Sequence, residues 1–339
     1  MTRMNLSNYI KPKSMIYTGE HKDVPTTVTH YAYDSKELDV TNTFDSKSGL
    51  KHYIQVVGLS DVEKIDELRK IYPIDPMVLE DVLNVNQRTK IEFKGNYVFA
   101  VLNFEYLDKG EVVEEYMSLV MFENTLISFH ETNPLFLEPL KQLFVDHKDL
   151  RDRSIDYLFF QILDIITDNH LDIYDILDEQ INHFEEFIID NENIKQDEFY
   201  IIQKTMLKLK NHVTPTYEQL DKAMNRKNDL LKPENQPYFD DLMDHLQRLD
   251  TRINQSREQM RNLHDLDSNN QSTKMNKIMA TLTLFSAIFI PLSFLTGFFG
   301  MNFTYFGILK YEHAVLIFSI VCIIIFIMMI LIFKRKKWL

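Results

Sequence analysis

The residues with the plainest chemical consequence lie near the end of the chain. From Ile278 to Leu309 no residue carries a charge, and within that run Gly300-Met301-Asn302 falls where a membrane-length helix would leave the bilayer. The Asn302 amide offers a carbonyl oxygen, and a ring of such oxygens can hold an ion through its hydration shell without stripping it. An asparagine beside a glycine at a helix end is also an ordinary C-terminal cap, and spacing alone leaves both readings open. Upstream, Met279, Thr283, Ser286, Ile290, Ser293 and Gly297 fall on one helical face that is small or polar at most steps, where lipid would favour Leu or Phe. Small and hydroxyl residues also let membrane helices pack closely. The lining of a water-filled path is the better reading, because the same face is polar before the apolar run begins.

The elements that would position these residues are two spans and a long helix. About 20 residues at ~1.5 Å each cover the ~30 Å of hydrocarbon, and both the first run and a second, Ala314 to Phe333, are long enough. Lys274 and Lys277 precede the first span, and Lys334, Arg335, Lys336 and Lys337 follow the second, whereas the link between them offers only Lys310 and Glu312. The positive-inside rule then places both termini in the cytoplasm. From Pro237, steps of three and four residues pick out Leu242, Leu246, Leu249, Ile253, Ser256, Met260 and Leu263, a seam that must pack against something. Another set, from Asp241 through Asp265 to Asn276, contains no apolar residue and predicts a face that is wet throughout. A helix from Pro237 to Gly300 would be on the order of 95 Å long, with Pro291 bending or loosening it. Two spans cannot enclose a path, so several copies must surround an axis. Neither span contains Asp or Glu, which leaves hydroxyls, backbone and amides to line it.

Composition bounds the rest. The net charge of −13 argues against nucleic acid, which needs a basic footprint, and suits a protein that handles cations. The single Cys322 cannot form an intrachain disulfide, and no Cys/His spacing suggests zinc. The N-terminal stretch has no apolar segment or cleavage site for export. Runs at 53–57, 96–102 and 118–122 read as strands, 61–69 and 76–85 as helices, and 123–125 as a hairpin turn before 126–129, giving an α/β domain. Beyond Arg151 the pattern predicts long helices, broken near Pro215 and between Pro233 and Pro237. Leu171 to Tyr200 holds ten Asp or Glu against one Lys195, a solvated hairpin face that could also answer the basic tail of an assembled ring. The predicted division is an α/β cytoplasmic domain over 1–150, a helical region with an acidic hairpin over 151–236, a stalk helix over 237–278, a pore-lining span over 279–300, an extracytoplasmic loop over 301–313, a second span over 314–333 and a basic tail over 334–339.

Gly300-Met301-Asn302 after a proline-containing span, a short link, a second span and a terminal KKWL resemble the CorA magnesium transporters. Asp75 to Asn84 (DPMVLEDVLN), Gln87-Arg88, Lys90 to Phe93 (KIEF) and Met275 to Thr283 (MNKIMATLT) extend the resemblance over nearly the whole chain from about Ile71. The resemblance implies a funnel-shaped homopentamer in the inner membrane that admits Mg2+ down its electrochemical gradient, with Co2+ or Ni2+ as further ions and no enzymatic activity. Asn302, with Gly300 and Met301, would form the outer selecting ring. Met279 and Leu282, with Asn276 just below, match the family's apolar constriction, which gates by dewetting. Asp81 of one subunit and Asp241 of the next match its regulatory Mg2+ site, and Asp265 an acidic position facing the axis. The chain departs from the pattern at Phe299, where the family usually has Tyr, and at Phe306 to Leu309 (FGIL), where magnesium-transporting members carry an acidic loop. A zinc transporter of the related ZntB type, proton-coupled, therefore stands as the alternative reading, since it shares the Gly-Met-Asn motif. A non-conducting membrane-anchored metal sensor is a third, which the polar stripe through the span argues against. No glycine-rich phosphate loop, HExxH motif or nucleophile elbow supports an enzyme.

Overall fold

The structure is a computed structural model and describes residues 15–44, 49–190, 195–226, 228–301, 307, 311–336 and 338. Asn302, Lys337 and most of the link between the spans lie outside the described residues. The chain divides into two compact units, Met1–Phe187 with Ile194–Arg261, and Ile188–Asn193 with Asn262–Leu339.

The first unit is built on a seven-stranded sheet of order β2-β1-β3-β7-β6-β5-β4. Its strands are β1 Thr27–Tyr33, β2 Leu38–Thr41, β3 Lys51–Val57, β4 Lys90–Lys94, β5 Tyr97–Asp108, β6 Glu111–Met121 and β7 Thr125–His130. β3 and β7 pair in parallel at the centre and the other neighbours are antiparallel. Every residue of β7 is buried, as a central strand covered on both faces requires. The expected turn at 123–125 joins β6 to β7, closed by the Phe122 N–H on the Thr125 carbonyl at 2.7 Å.

Two short helices cross between β3 and β4. Helix α1, Val62–Ile71, is capped by Asp61, whose carboxylate accepts the Lys64 N–H at 3.1 Å. Helix α2, Pro76–Leu83, is capped by Asp75 on the Met77 N–H at 2.8 Å, with Pro76 at its first position, where no N–H is needed. Leu68, Leu79 and Val82 meet Ile54, Phe99 and Phe129 of the sheet in one core. Helices α3, Glu138–Asp146, and α4, Lys148–Asp152, follow β7.

Three long helices come next: α5 Ile155–Ile189, α6 Gln196–Met224 and α7 Gln236–Phe299. The seam from Leu242 to Leu263 is buried at every step. Its one polar member, Ser256, is held by the Tyr174 hydroxyl at 2.6 Å and donates to Asp178 at 3.1 Å, both on α5. Pro215 does not break the chain as the sequence predicts. It lies inside α6, where the burial of Val213, Thr216 and Leu220 outweighs the lost backbone bond and the Thr216 hydroxyl bonds the His212 carbonyl at 2.8 Å. Pro237 likewise sits in the first turn of α7, so the break between the long helices runs from Asn225 through a single 3-10 turn at Pro233–Asn235.

In the second unit the remainder of α7, uninterrupted at Pro291, is accompanied by α8, Ala314–Arg335. Both helices are long and apolar enough to cross a membrane. Phe299 and Phe318 bring them together at 5.0 Å between rings.

Candidate functional site

Helix α7 carries the largest set of candidate residues. Asp241, Arg248, Glu258, Asp265, Ser272 and Asn276 are all exposed, as are Met279, Leu282, Thr283, Ser286, Ile290 and Ser293 further along the same helix. Within the second unit every residue from Gln271 to Thr283 is exposed, and the face that holds Asn276, Met279, Thr283, Ser286 and Ser293 changes from amide to hydroxyl side chains as the helix becomes apolar. The Thr283 hydroxyl donates to the Met279 carbonyl at 2.8 Å, and the Ser293 carbonyl accepts the Thr296 hydroxyl at 3.0 Å. With its proton held inside the helix, the Thr283 hydroxyl keeps oxygen lone pairs, a chemistry that suits a passing cation rather than an anion. At the end of the span the Gly300 N–H meets the Thr296 carbonyl at 2.9 Å, and a side chain at 300 would lie only 3.0 Å from that oxygen. Glycine lets the chain turn out of the helix there with Met301 exposed. At the other end of α8, Lys334, Arg335 and Lys336 form a basic end, and Lys336 stands over the Trp338 ring at 5.9 Å.

The acidic candidates have distinct surroundings. Asp81, in the last turn of α2, accepts from Gln87 Nε2 on one oxygen and pairs with Lys90 Nζ on the other, both at 2.6 Å. Asp241 is exposed, with His245 Nε2 at 3.8 Å from its carboxylate, and Asp265 is exposed beside His264 at 3.8 Å. Asp241 also belongs to a cluster the sequence analysis missed. Burial pushes Asp164 on α5 up to about 6, with Asp168 and Asp241 adding repulsion and His245 opposing it. Asp168 is raised for the same first reason, and Asp172 adds to it. The signal was present in the four-residue spacing of Asp164, Asp168 and Asp172, which puts three carboxylates on one face of α5. Among the described residues, no group of three or more His, Cys, Asp or Glu is arranged to hold a metal within one chain. The single chain thus presents carboxylates that repel one another, and none of these sets closes on an ion by itself.

An α/β domain that precedes two exposed helices long and apolar enough to cross a membrane is the arrangement of a membrane protein with a large domain outside the bilayer. The family described as CorA-like Mg2+ transporter protein matches residues 54–335, and the chain belongs to it. Members of that family move metal ions and are not enzymes. The chain is 28% identical over 347 residues to the cobalt/magnesium transport protein CorA of Thermotoga maritima, across 99% of both proteins. It is 25% identical over 224 residues to the zinc transport protein ZntB of Vibrio parahaemolyticus, across 64% of this chain and 66% of that one. Its fold is that of the CorA magnesium transporter of Methanocaldococcus jannaschii, with a TM-score of 0.79 at 18% identity over 93% of this chain and 98% of that one.

Proposed function

We propose that this chain is a Mg2+ channel of the inner membrane, assembled as a homopentamer with both termini in the cytoplasm, that admits Mg2+ down its electrochemical gradient and also passes Co2+ and Ni2+. The observation that carries the reading is that Thr283, Ser286 and Ser293, small hydroxyl residues that share one face of α7, are exposed where the helix becomes apolar. A helix that served only as an anchor would have no use for outward hydroxyls at that depth. Five copies would line the path with oxygens that replace or steady a hydration shell, at a cost low enough for the ion to leave again. Asn302 forms the outer ring in this reading, with Gly300 and Met301 setting its place, and Met279 and Leu282 narrow the path above Asn276. The basic residues from Lys334 to Lys337 flank the cytoplasmic mouth, where the acidic helices offset their charge.

Closure follows from the same chemistry. Asp81 of one subunit faces Asp241 of the next, and Asp265 faces the axis. With internal Mg2+ scarce, the carboxylates at Asp164, Asp168 and Asp241 repel, and a divalent ion between neighbours converts repulsion into a clamp. Burial first, and then the neighbouring carboxylates, raise the pKa of Asp164 and Asp168, so a cation arriving between them would also favour their charged form.

The test is fluorescence-monitored uptake into proteoliposomes, with Mg2+, Co2+ or Zn2+ outside and either a membrane potential or a proton gradient imposed. Mg2+ entry driven by potential and suppressed by Mg2+ inside is the expected result. Zn2+ flux that follows the proton gradient, with little Mg2+ entry, would replace this reading with a zinc transporter and make Phe306 to Leu309, which lacks a carboxylate, the decisive departure.

A further inference from the structure

We propose that Lys90 is a tethered counter-cation that sets the concentration of cytoplasmic Mg2+ at which Asp81 responds. The inference rests on the reading of Asp81 as a regulatory carboxylate and adds what opposes the metal there. Both oxygens of Asp81 are engaged within the chain, one by Gln87 and the other by Lys90 at 2.6 Å. The pair is not a loose surface contact, since the side chains are 13% exposed for Lys90 and 26% for Asp81. Lys90 opens strand β4, paired with Val101 of β5, so its backbone is fixed by the sheet. Its ammonium also stands over the Phe99 ring at 5.2 Å, which favours the charged group in that place.

Asp81 for its part needs a cation. It sits in the last turn of α2, where the negative end of the helix dipole disfavours a carboxylate. The nearby carbonyls are met by neutral donors, Tyr116 Oη to Asp81 and Val82 at 3.0 and 3.1 Å and the Asn84 N–H to Glu80 and Asp81. The Asp81 charge itself is answered by Lys90.

A divalent ion can approach this carboxylate in two ways. Direct ligation must either expel the Lys90 ammonium or the Gln87 amide or share an oxygen with it, close to the Lys90 charge. Binding through a water shell can use the remaining lone pairs, but it brings two positive charges toward a third. In both cases Lys90 weakens the metal, and in the empty state it spares the subunit boundary an unpaired carboxylate. Removing the Lys90 charge should therefore tighten Mg2+ at this site, whereas a purely structural role would loosen the site or leave its affinity alone.

The experiment uses the full chain in proteoliposomes, reading flux while internal Mg2+ is varied. Lys90→Met is expected to lower the half-inhibiting internal Mg2+ concentration by about fivefold, the effect of roughly one partly screened charge pair. Lys90→Arg, which keeps the charge, should stay near the wild-type threshold, and Asp81→Asn should raise it. An unmoved or raised threshold in Lys90→Met, together with a raised one in Asp81→Asn, would overturn the role of Lys90 and leave the regulatory reading standing. An unmoved threshold in Asp81→Asn would overturn that reading, and the role of Lys90 with it.

Discussion

Several buried titratable side chains make the stability of the first unit depend on pH in opposite directions. His130 and His170 are fully buried, and burial pushes each down to about 3 from an ordinary 6.5. Both are neutral in the folded chain and take up a proton on unfolding below 6.5. Their contribution is whole above that pH and is lost as pH falls toward 3, at up to ~1.4 kcal/mol per pH unit for each group. Glu115 acts the other way, because burial raises it from 4.5 to about 8, with Glu131 adding repulsion. Its contribution is whole below 4.5 and is lost as pH rises toward 8. Glu115→Gln should therefore stabilise the full chain in detergent by ~1–3 kcal/mol at pH 8, with the advantage fading toward pH 5. Thermal melts at the two pH values check this, and a gap independent of pH would assign the effect to packing. None of these groups belongs to a motif, so sequence alone did not single them out. Asp81 stood out only through the family resemblance, and its partners Gln87 and Lys90 lie in the same matched stretch without any spacing that announces a bond. The fold joins them, because the chain turns back after α2 to begin β4 beside it.

The long helices were the most legible elements. Alternating steps of three and four along α7 identified a seam whose members are all buried, since a continuous helix fixes which side chains share a face. Leu249 is fully buried at its centre, so Leu249→Ala should cost ~2–5 kcal/mol. Chemical denaturation of the full chain in detergent reads that loss, and a cost below 1 kcal/mol would mean that the face relaxes freely. The less legible elements failed for physical reasons. β1 buries His30 between Val28 and Ala32 on one face and Tyr33 on the other, and His30 bonds His52 of β3 at 2.9 Å, so a polar residue interrupts its apolar face in sequence. β2 is four residues long with no buried position, which leaves no periodicity to detect. Pro215 misled in the opposite sense, because a continuously buried face through Leu209, Val213, Thr216 and Leu220 keeps a helix intact through a residue that cannot donate.

At the scale of the whole molecule, the exposed surface of the spans has two chemistries. Phe285, Phe289, Phe294 and Val315 expose more than half of their area to what must be lipid or another copy of the chain. The stripe through Thr283, Ser286 and Ser293 is equally exposed and suits neither lipid nor a dry core. No single chain can serve both surfaces, and a ring of copies with the stripe inward does. In the proposed ring Met279 and Leu282, 59% and 66% exposed here, are with Ile290 the large apolar members of the lining and lie nearest its Asn276 end. Rings of large apolar side chains exclude water at modest width, and an ion that must keep its shell cannot follow. Replacing both with glycine should leave assembly intact and raise Mg2+ flux at least several-fold under conditions where high internal Mg2+ closes the wild type. Glycine also loosens a helix by ~1 kcal/mol per site, so the oligomer is sized by light scattering alongside the flux measurement. An assembled variant with unchanged closed-state flux would move the gate to another ring, and the hydroxyl steps at Thr283 and Ser286 are too small to replace it. The closing element would then lie at Ile290, the other large apolar step of the lining, or at Asn276 and beyond toward the acidic end of α7, where charge rather than dewetting would have to stop the ion.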